Sequence, residues 1–225
     1  MSETSPATWH KLHESMLMGL TQALEQVEPE KIRMLVENLV KCKRSGGRVF
    51  FAASARSRNI MRTFACRLAM SPIAMLVHDL CGSTFPPVKE DDLLIVCSST
   101  GYTQHVIDFV TNWKGISENV VLITSNNDEK DERNVLWSMI KEKVFLKGIS
   151  DDYKKIRLKK KELNEYSVEE DLSETFTEGS VDDHFLFEIG SLSLFEAVIH
   201  ELVSTQVLGK EPSADIAKDT SSCLE

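Results

Sequence analysis

The run DDLLIVCSSTGYTQHVIDFVTNW, residues 91–113, passes from a strand to a polar turn to a helix with no spacer between them. Leu93, Leu94, Ile95, Val96 and Cys97 are apolar in unbroken succession, the pattern of a strand buried on both faces rather than one with a wet side. The segment VIDFVTNW then reads as a helix beginning near Gln104. The same order recurs upstream in RVFFAASARSRNIMRTFACRLAM, residues 48–70, where RVFFAA is the strand and Ile60, Phe64, Ala65 and Leu68 share one helical face. AMLVHD and NVVLITS supply two more strands, and a helix around Asn134 to Lys141 precedes a short strand in KVFLKG. Strands alternating with helices predict a three-layer α/β/α sandwich of the flavodoxin or Rossmann type, with a central parallel sheet of about five strands.

Two amphipathic helices come before this core. Trp9, Leu12, Met16, Leu20, Ala23, Leu24 and Val27 recur at helical spacing, and Pro29 opens a second helix whose apolar set, Ile32, Leu35, Val36, Leu39 and Val40, ends at Gly46-Gly47. The expected organisation is a helical pair over 1–47, an α/β domain over 48–212 and a tail over 213–225. A charged insertion interrupts the domain at about 150–183, where DDYKKIRLKKKEL is followed by EYSVEEDLSETFTEGSVDD; blocks of this kind read as solvated, mobile segments. Order returns in HFLFEIGSLSLFEAVIHELVSTQVLG, with Leu192, Phe195, Val198, Ile199, Leu202 and Val203 on one stripe of a long helix.

A net charge of −9 opposes a phosphate-backbone binder, so no nucleic-acid partner is expected. No stretch approaches the roughly 20 apolar residues of a membrane span, and the start lacks a secretory pattern, so the expected location is the cytoplasm, without a membrane partner. The five cysteines form no C-x-x-C pair, which points to reduced, buried thiols rather than to disulfides or zinc. His10 and His13 stand one turn apart but lack a third ligand, so no metal and no cofactor is expected.

In an open parallel sheet, ligands bind beyond the carboxyl ends of the strands, where the next helix presents free N–H groups. Two loops occupy that position. In SSTGYT, the hydroxyls of Ser98, Thr100 and Thr103 can donate to an anion while Gly101 allows the backbone to approach closely. In ASARSR, Ala53 to Arg58, the offers are Ser57, Arg56 and Arg58. The competing explanation for both is helix capping, for which Ser and Thr are preferred.

These segments together, with EDDLLIV and the distal FEIGSLSLFEAVIHEL, resemble sugar isomerase (SIS) domain proteins, especially the 6-phospho-3-hexuloisomerases, over roughly residues 48–127 and 186–209. The family's second loop, S-G-S-G-x-T, matches Ser98 to Thr103 with every hydroxyl position filled. Its first loop, G-x-G-R-S-G, falls on Ala53 to Arg58, which keeps Arg56 and Ser57 but none of the three glycines. The resemblance implies that Arg56, Ser57, Ser98, Thr100, Gly101 and Thr103 bind a sugar phosphate and that Glu188 is the general base. It also implies a homodimer or homotetramer, to which the generous apolar faces of the helices add. Met70 stands where the family has a histidine, and DTSSCLE replaces a family ending that carries another. An alanine, Ala53 or Ala55, in place of a loop glycine at a position needing positive φ is expected to be strained, and Arg58 to crowd the ligand.

Moving a carbonyl between adjacent sugar carbons passes through an enediol, which asks for a base within reach of the carbon-bound proton and a donor near the oxygens. Glu188 is the candidate base. His105, one turn into the helix after SSTGYT, is a candidate second proton carrier, with His78 and His184 behind it. Two readings stay open: an aldose-ketose type sugar-phosphate isomerase, or a binding or regulatory module that keeps phosphate recognition without proton transfer.

Overall fold

In a computed structural model, which describes residues 6–71, 74–80, 86–129, 131, 134–147 and 183–207, the alternation of strand and helix resolves into one five-stranded sheet. The strands are β1 (Val49–Ala53), β2 (Val77–Asp79), β3 (Leu93–Cys97), β4 (Val120–Thr124) and β5 (Glu142–Phe145), and the helices α1 (Pro6–Glu25), α2 (Pro29–Arg44), α3 (Ala55–Ala69), α4 (Gln104–Lys114), α5 (Val135–Met139) and α6 (Asp183–Val207). The spatial order is β2-β1-β3-β4-β5, with every neighbouring pair parallel. The expected insertion and tail lie outside the described residues.

Side chains along a strand alternate between faces, and here both faces are apolar. Phe51, Ala53, Ile95, Cys97, Val121, Ile123 and Val144 join one core, shared with α2, α3 and α6. Phe50, Ala52, Leu94, Val96 and Leu122 face the other, with Val106, Val110 and Trp113 of α4 and Leu136 of α5. This is the expected three-layer sandwich. AMLVHD is shorter as a strand than its apolar letters suggest, because Ala74 takes φ 41° and its N–H closes a turn onto Ser71 O at 2.8 Å, so pairing begins only at Val77.

Helices α3 and α6 run side by side in the same direction. Phe64 stacks on Phe195 with ring centroids 4.3 Å apart, and one step further along both helices Arg67 forks onto the carboxylate of Glu196 at 2.8–3.2 Å. This register carries Glu188, two turns before Phe195, to the start of α3. Gly19 lets α1 come close to α6, since a methyl group there would meet Leu186 at 3.0 Å.

At the opposite end of the sheet, Asp92 fastens the starts of β1 and β3. Its carboxylate is fully buried and accepts from Arg48 N at 2.8 Å, Arg48 Nε at 3.2 Å, an Arg48 terminal nitrogen at 2.7 Å and Lys89 N at 2.8 Å. Burial alone would raise this carboxyl, but the Arg48 side chain and the two backbone donors outweigh it and hold it below the usual aspartate range. A depressed folded-state pKa means that the stabilisation is complete above the unfolded value of about 3.9 and is lost as pH falls through the lower, folded-state value. We therefore expect Asp92→Ala to cost about 3 kcal/mol in urea unfolding at pH 7, by stranding the donors around it. The gap between variant and wild type should narrow as the pH drops below about 4.

Candidate active site

The strand order reverses between β1 and β3. After β1 the chain turns to α3 on one face of the sheet, and after β3 it turns to α4 on the other, so a crevice opens above the two strand ends. That crevice is a cavity of about 400 Å³ lined by Ser54, Ala55, Arg56 and Ser57 from the first turn, Cys97, Ser98, Ser99, Thr100, Tyr102 and Thr103 from the second, and Glu188 from α6. The volume suits a small-molecule ligand, for which sites run to roughly 300–1,000 Å³.

Its chemistry is mostly neutral hydroxyl. One cation, Arg56, and one carboxylate, Glu188, face each other at 2.8 Å, with the Arg56 side chain 58% exposed and that of Glu188 only 15%. Such a lining supplies many donors and little net charge, which fits an oxyanion held by hydrogen bonds and helix N-termini. Thr103 and Ser54 sit at the N-cap positions of α4 and α3, yet neither side chain makes a capping bond. Capping, the competing explanation for both loops, therefore does not account for these hydroxyls. The Ser98 hydroxyl accepts from Gly101 N–H at 3.2 Å and lies 3.5 Å from the Thr103 hydroxyl, which folds the second loop into a tight turn.

Of the residues the sequence singles out, Arg56, Ser57, Ser98, Thr100, Thr103 and Glu188 meet in this one cavity. Gly101 shapes the turn without lining it: its φ is 77°, and a Cβ there would strike the amide of Asn134. His105 is exposed on α4, outside the cavity lining, because Val106 and Val110 take the buried face of that helix. His78 stacks on Phe50 at 4.9 Å on the edge strand, and the side chain of His184 lies outside what is described. Arg58 does not crowd the crevice: its Nε donates to Asp79 at the end of β2 at 2.8 Å, where Arg62 joins it at 3.2 Å. Met70, at the end of α3, is 80% exposed.

The strain expected in the first loop is present. Ala55 adopts φ 46°, a left-handed conformation that glycine enters without penalty and that costs an L-residue about 1 kcal/mol or more. Ser99 and Tyr102, which the sequence reading leaves without a role, also line the site, and so does Cys97 at the floor. Burial pushes the Cys97 thiol up to about 12, so it is a neutral wall at physiological pH rather than a nucleophile. Among the described residues no cluster of His, Cys, Asp and Glu comes together as a metal site, and no helix is long and apolar enough to cross a membrane.

Fold and crevice together define a doubly wound α/β protein with a hydroxyl-lined pocket at its topological switch point. Comparison with known proteins narrows this. No protein-family model matches the sequence. The 3-hexulose-6-phosphate isomerase of Mycobacterium gastri is 31% identical over 103 residues, 46% of this chain and 49% of the relative, and the isomerase of the same name from Methanocaldococcus jannaschii is 30% identical over 93 residues, 41% and 48%. The chain thus spans about half the length of the curated relatives it matches. Among solved structures, the Vibrio vulnificus NanR protein complexed with ManNAc-6P superposes with a TM-score of 0.60 at 15% identity, covering 94% of this chain and 66% of that one. The sugar isomerase domain of an RpiR transcription factor from Sphaerobacter thermophilus gives 0.61 at 11% identity, covering 95% and 97%. The chain shares the fold of the RpiR sugar isomerase domain and is similar in sequence, over about half its length, to the 3-hexulose-6-phosphate isomerases.

Two outcomes follow from the local geometry. Ala55→Gly should raise stability by about 0.5–1 kcal/mol in denaturant unfolding, since the relief of positive φ exceeds the added freedom of the unfolded chain; a loss of stability would show that the residue is not strained. Iodoacetamide at pH 7.5 should label exposed Cys66 while sparing Cys97 and Cys42, whose thiol burial pushes up to about 11. Peptide mass spectrometry reads this directly.

Proposed function

We propose that the crevice binds the phosphate of a phosphorylated sugar and that the protein is a sugar-phosphate isomerase of the aldose-ketose type, acting on a 6-phospho-3-hexulose or a close analogue. The observation that carries this reading is the meeting, in one cavity, of two helix-opening turns whose hydroxyls are not spent on capping with a mostly buried carboxylate from a third element. The curated relatives that share sequence with the chain bear the name of this activity.

In this reading Ser57, Ser98, Thr100 and Thr103 hold the phosphate oxygens, with the dipoles of α3 and α4 adding to the attraction. Arg56 exchanges its ion pair with Glu188 for the phosphate dianion, which offers it more charge and more acceptors. The released carboxylate takes the proton from the carbon beside the carbonyl. The electron pair of that C–H bond becomes the C=C bond of an enediol while the carbonyl oxygen gains a proton. Return of a proton to the neighbouring carbon, with loss of one from the other hydroxyl, completes the shift. The protein works as a homodimer or homotetramer, a reading supported by exposed Leu17 and Met18 on α1. Its free thiols suit a reducing compartment such as the cytoplasm.

A second reading has its own support. Among the described residues the cavity holds no imidazole, and its carboxylate is engaged by Arg56; a transcription factor's domain shares the fold. A phosphosugar-binding module without turnover fits these observations.

The experiment is a calorimetric titration with hexulose 6-phosphates, run beside NMR detection of proton exchange in D₂O. An isomerase exchanges the proton on the carbon next to the carbonyl, and Glu188→Gln lowers that rate by at least ~10²-fold while binding persists. Binding without exchange selects the module. No heat and no exchange with any sugar phosphate overturns both.

A further inference from the structure

The loop after β3 keeps its shape through contacts from behind. Ser99 O accepts from the backbone N–H of Ser125 at 3.1 Å, from the Ser125 hydroxyl at 2.8 Å and from the Thr124 hydroxyl at 3.2 Å. Thr100 O accepts from the Asn126 side-chain amide at 3.0 Å, and Gly101 O from Leu136 N–H at 3.1 Å. Three consecutive carbonyls are thus drawn toward the segment that joins β4 to α5. In a trans peptide the N–H points opposite to the carbonyl of the same plane. Fixing these oxygens on the β4 side therefore aims the N–H groups of Thr100, Gly101 and Tyr102 the other way: Thr100 and Tyr102 line the cavity, and the Gly101 N–H, which shares its plane with the Thr100 carbonyl, donates to the Ser98 hydroxyl at 3.2 Å.

Asn126 is the centre of this arrangement. It is 2% exposed, its Oδ1 accepts from Asp128 N–H at 3.2 Å, and its backbone N–H donates to the Thr124 hydroxyl at 3.2 Å. Asn134, 3% exposed, braces it by donating to Asn126 O at 3.0 Å. Among the described residues the Asn134 Oδ1 has no hydrogen-bond donor, and it lies against Gly101, where any side chain would displace it. An amide buried to this degree for local stability alone would be expected to satisfy both its ends; this one instead closes the back of the turn.

We propose that Asn126, braced by Asn134, is a positioning residue for anion binding: by holding the Thr100 carbonyl away from the crevice it sets the affinity of the 98–103 loop for a phosphate group. Rotation of the Thr100 carbonyl into the crevice would present a negative end to the anion and break the Gly101 N–H bond that fixes the Ser98 hydroxyl, so the effect falls on binding. The inference rests on the reading of the crevice as a phosphate site.

The test is titration of the full chain with inorganic phosphate and with fructose 6-phosphate, followed by ³¹P NMR. Asn126→Ala should raise both dissociation constants about tenfold, the equivalent of one charge-assisted hydrogen bond. Ser125→Ala, which keeps the backbone bond to Ser99 and so preserves the fold, should raise them about threefold, since only one of several donors is removed. The loss should be subadditive with Thr100→Ala, on the same loop, and additive with Ser57→Ala, across the crevice. A purely structural asparagine would lower thermal stability and show no such difference in coupling. If wild type binds phosphate, Ser98→Ala weakens it, and both the Asn126 and Ser125 variants bind as wild type does, the positioning role is overturned while the phosphate site stands. If wild type binds neither probe, the site and the inference fall together.

Discussion

Two adjacent parallel strands whose following helices depart to opposite faces of a sheet cannot seal the space above their ends, and the architecture of this protein follows from that constraint at β1 and β3. The five-residue pairing from Val49 opposite Leu93 to Ala53 opposite Cys97 brings the two turns out at the same height. The fully buried pair of strands makes that height rigid, because a slip by one residue would exchange the two apolar faces. Asp92 secures one end of the pair with four bonds, leaving the other end to be shaped by the residues that line the crevice.

The crevice is assembled from elements that contribute different things. The turn after β3 contributes donors, and the segment after β4 keeps its carbonyls away from them. The turn after β1 contributes Arg56 and a strained Ala55, a local cost of the kind that collects where a loop must bend closely around a ligand. Helix α6 contributes one carboxylate, delivered by the register of Phe195 on Phe64. Hydroxyls and helix N-termini without a surplus of cations suit a phosphate ester small enough to be surrounded, as opposed to an extended polyanion, which agrees with the acidic character of the chain.

Much of this was legible from residue patterns. The unbroken apolar runs VFFAA, LLIVC and VVLIT fit strands covered on both faces, and the helical spacing after each identifies the layers. The hydroxyl loop was visible for the same reason, since its place between strand and helix is local. What depends on distant partners was not. Glu188 and Arg56 lie far apart in sequence, and nothing near either announces the pairing. The destination of Arg58 depends on Asp79, at the end of an edge strand shortened by the backbone of Ala74. Nothing in the sequence singles out the side chains of Asn126 and Asn134, and only the location of β4 beside β3 turns them toward the neighbouring turn. His105 could have been set aside from spacing alone, because Val106 and Val110 already claim the inner face of its helix.

Whether the β1–β3 crevice is a phosphate-ester site is read by amide chemical-shift mapping on isotope-labelled protein. On titration with a hexulose 6-phosphate, a phosphate-ester site gives saturable shifts concentrated at Ser54 to Ser57 and Ser98 to Thr103, with the rest of the sheet unmoved. Shifts at another surface, or none at these two turns at saturating ligand, would contradict it.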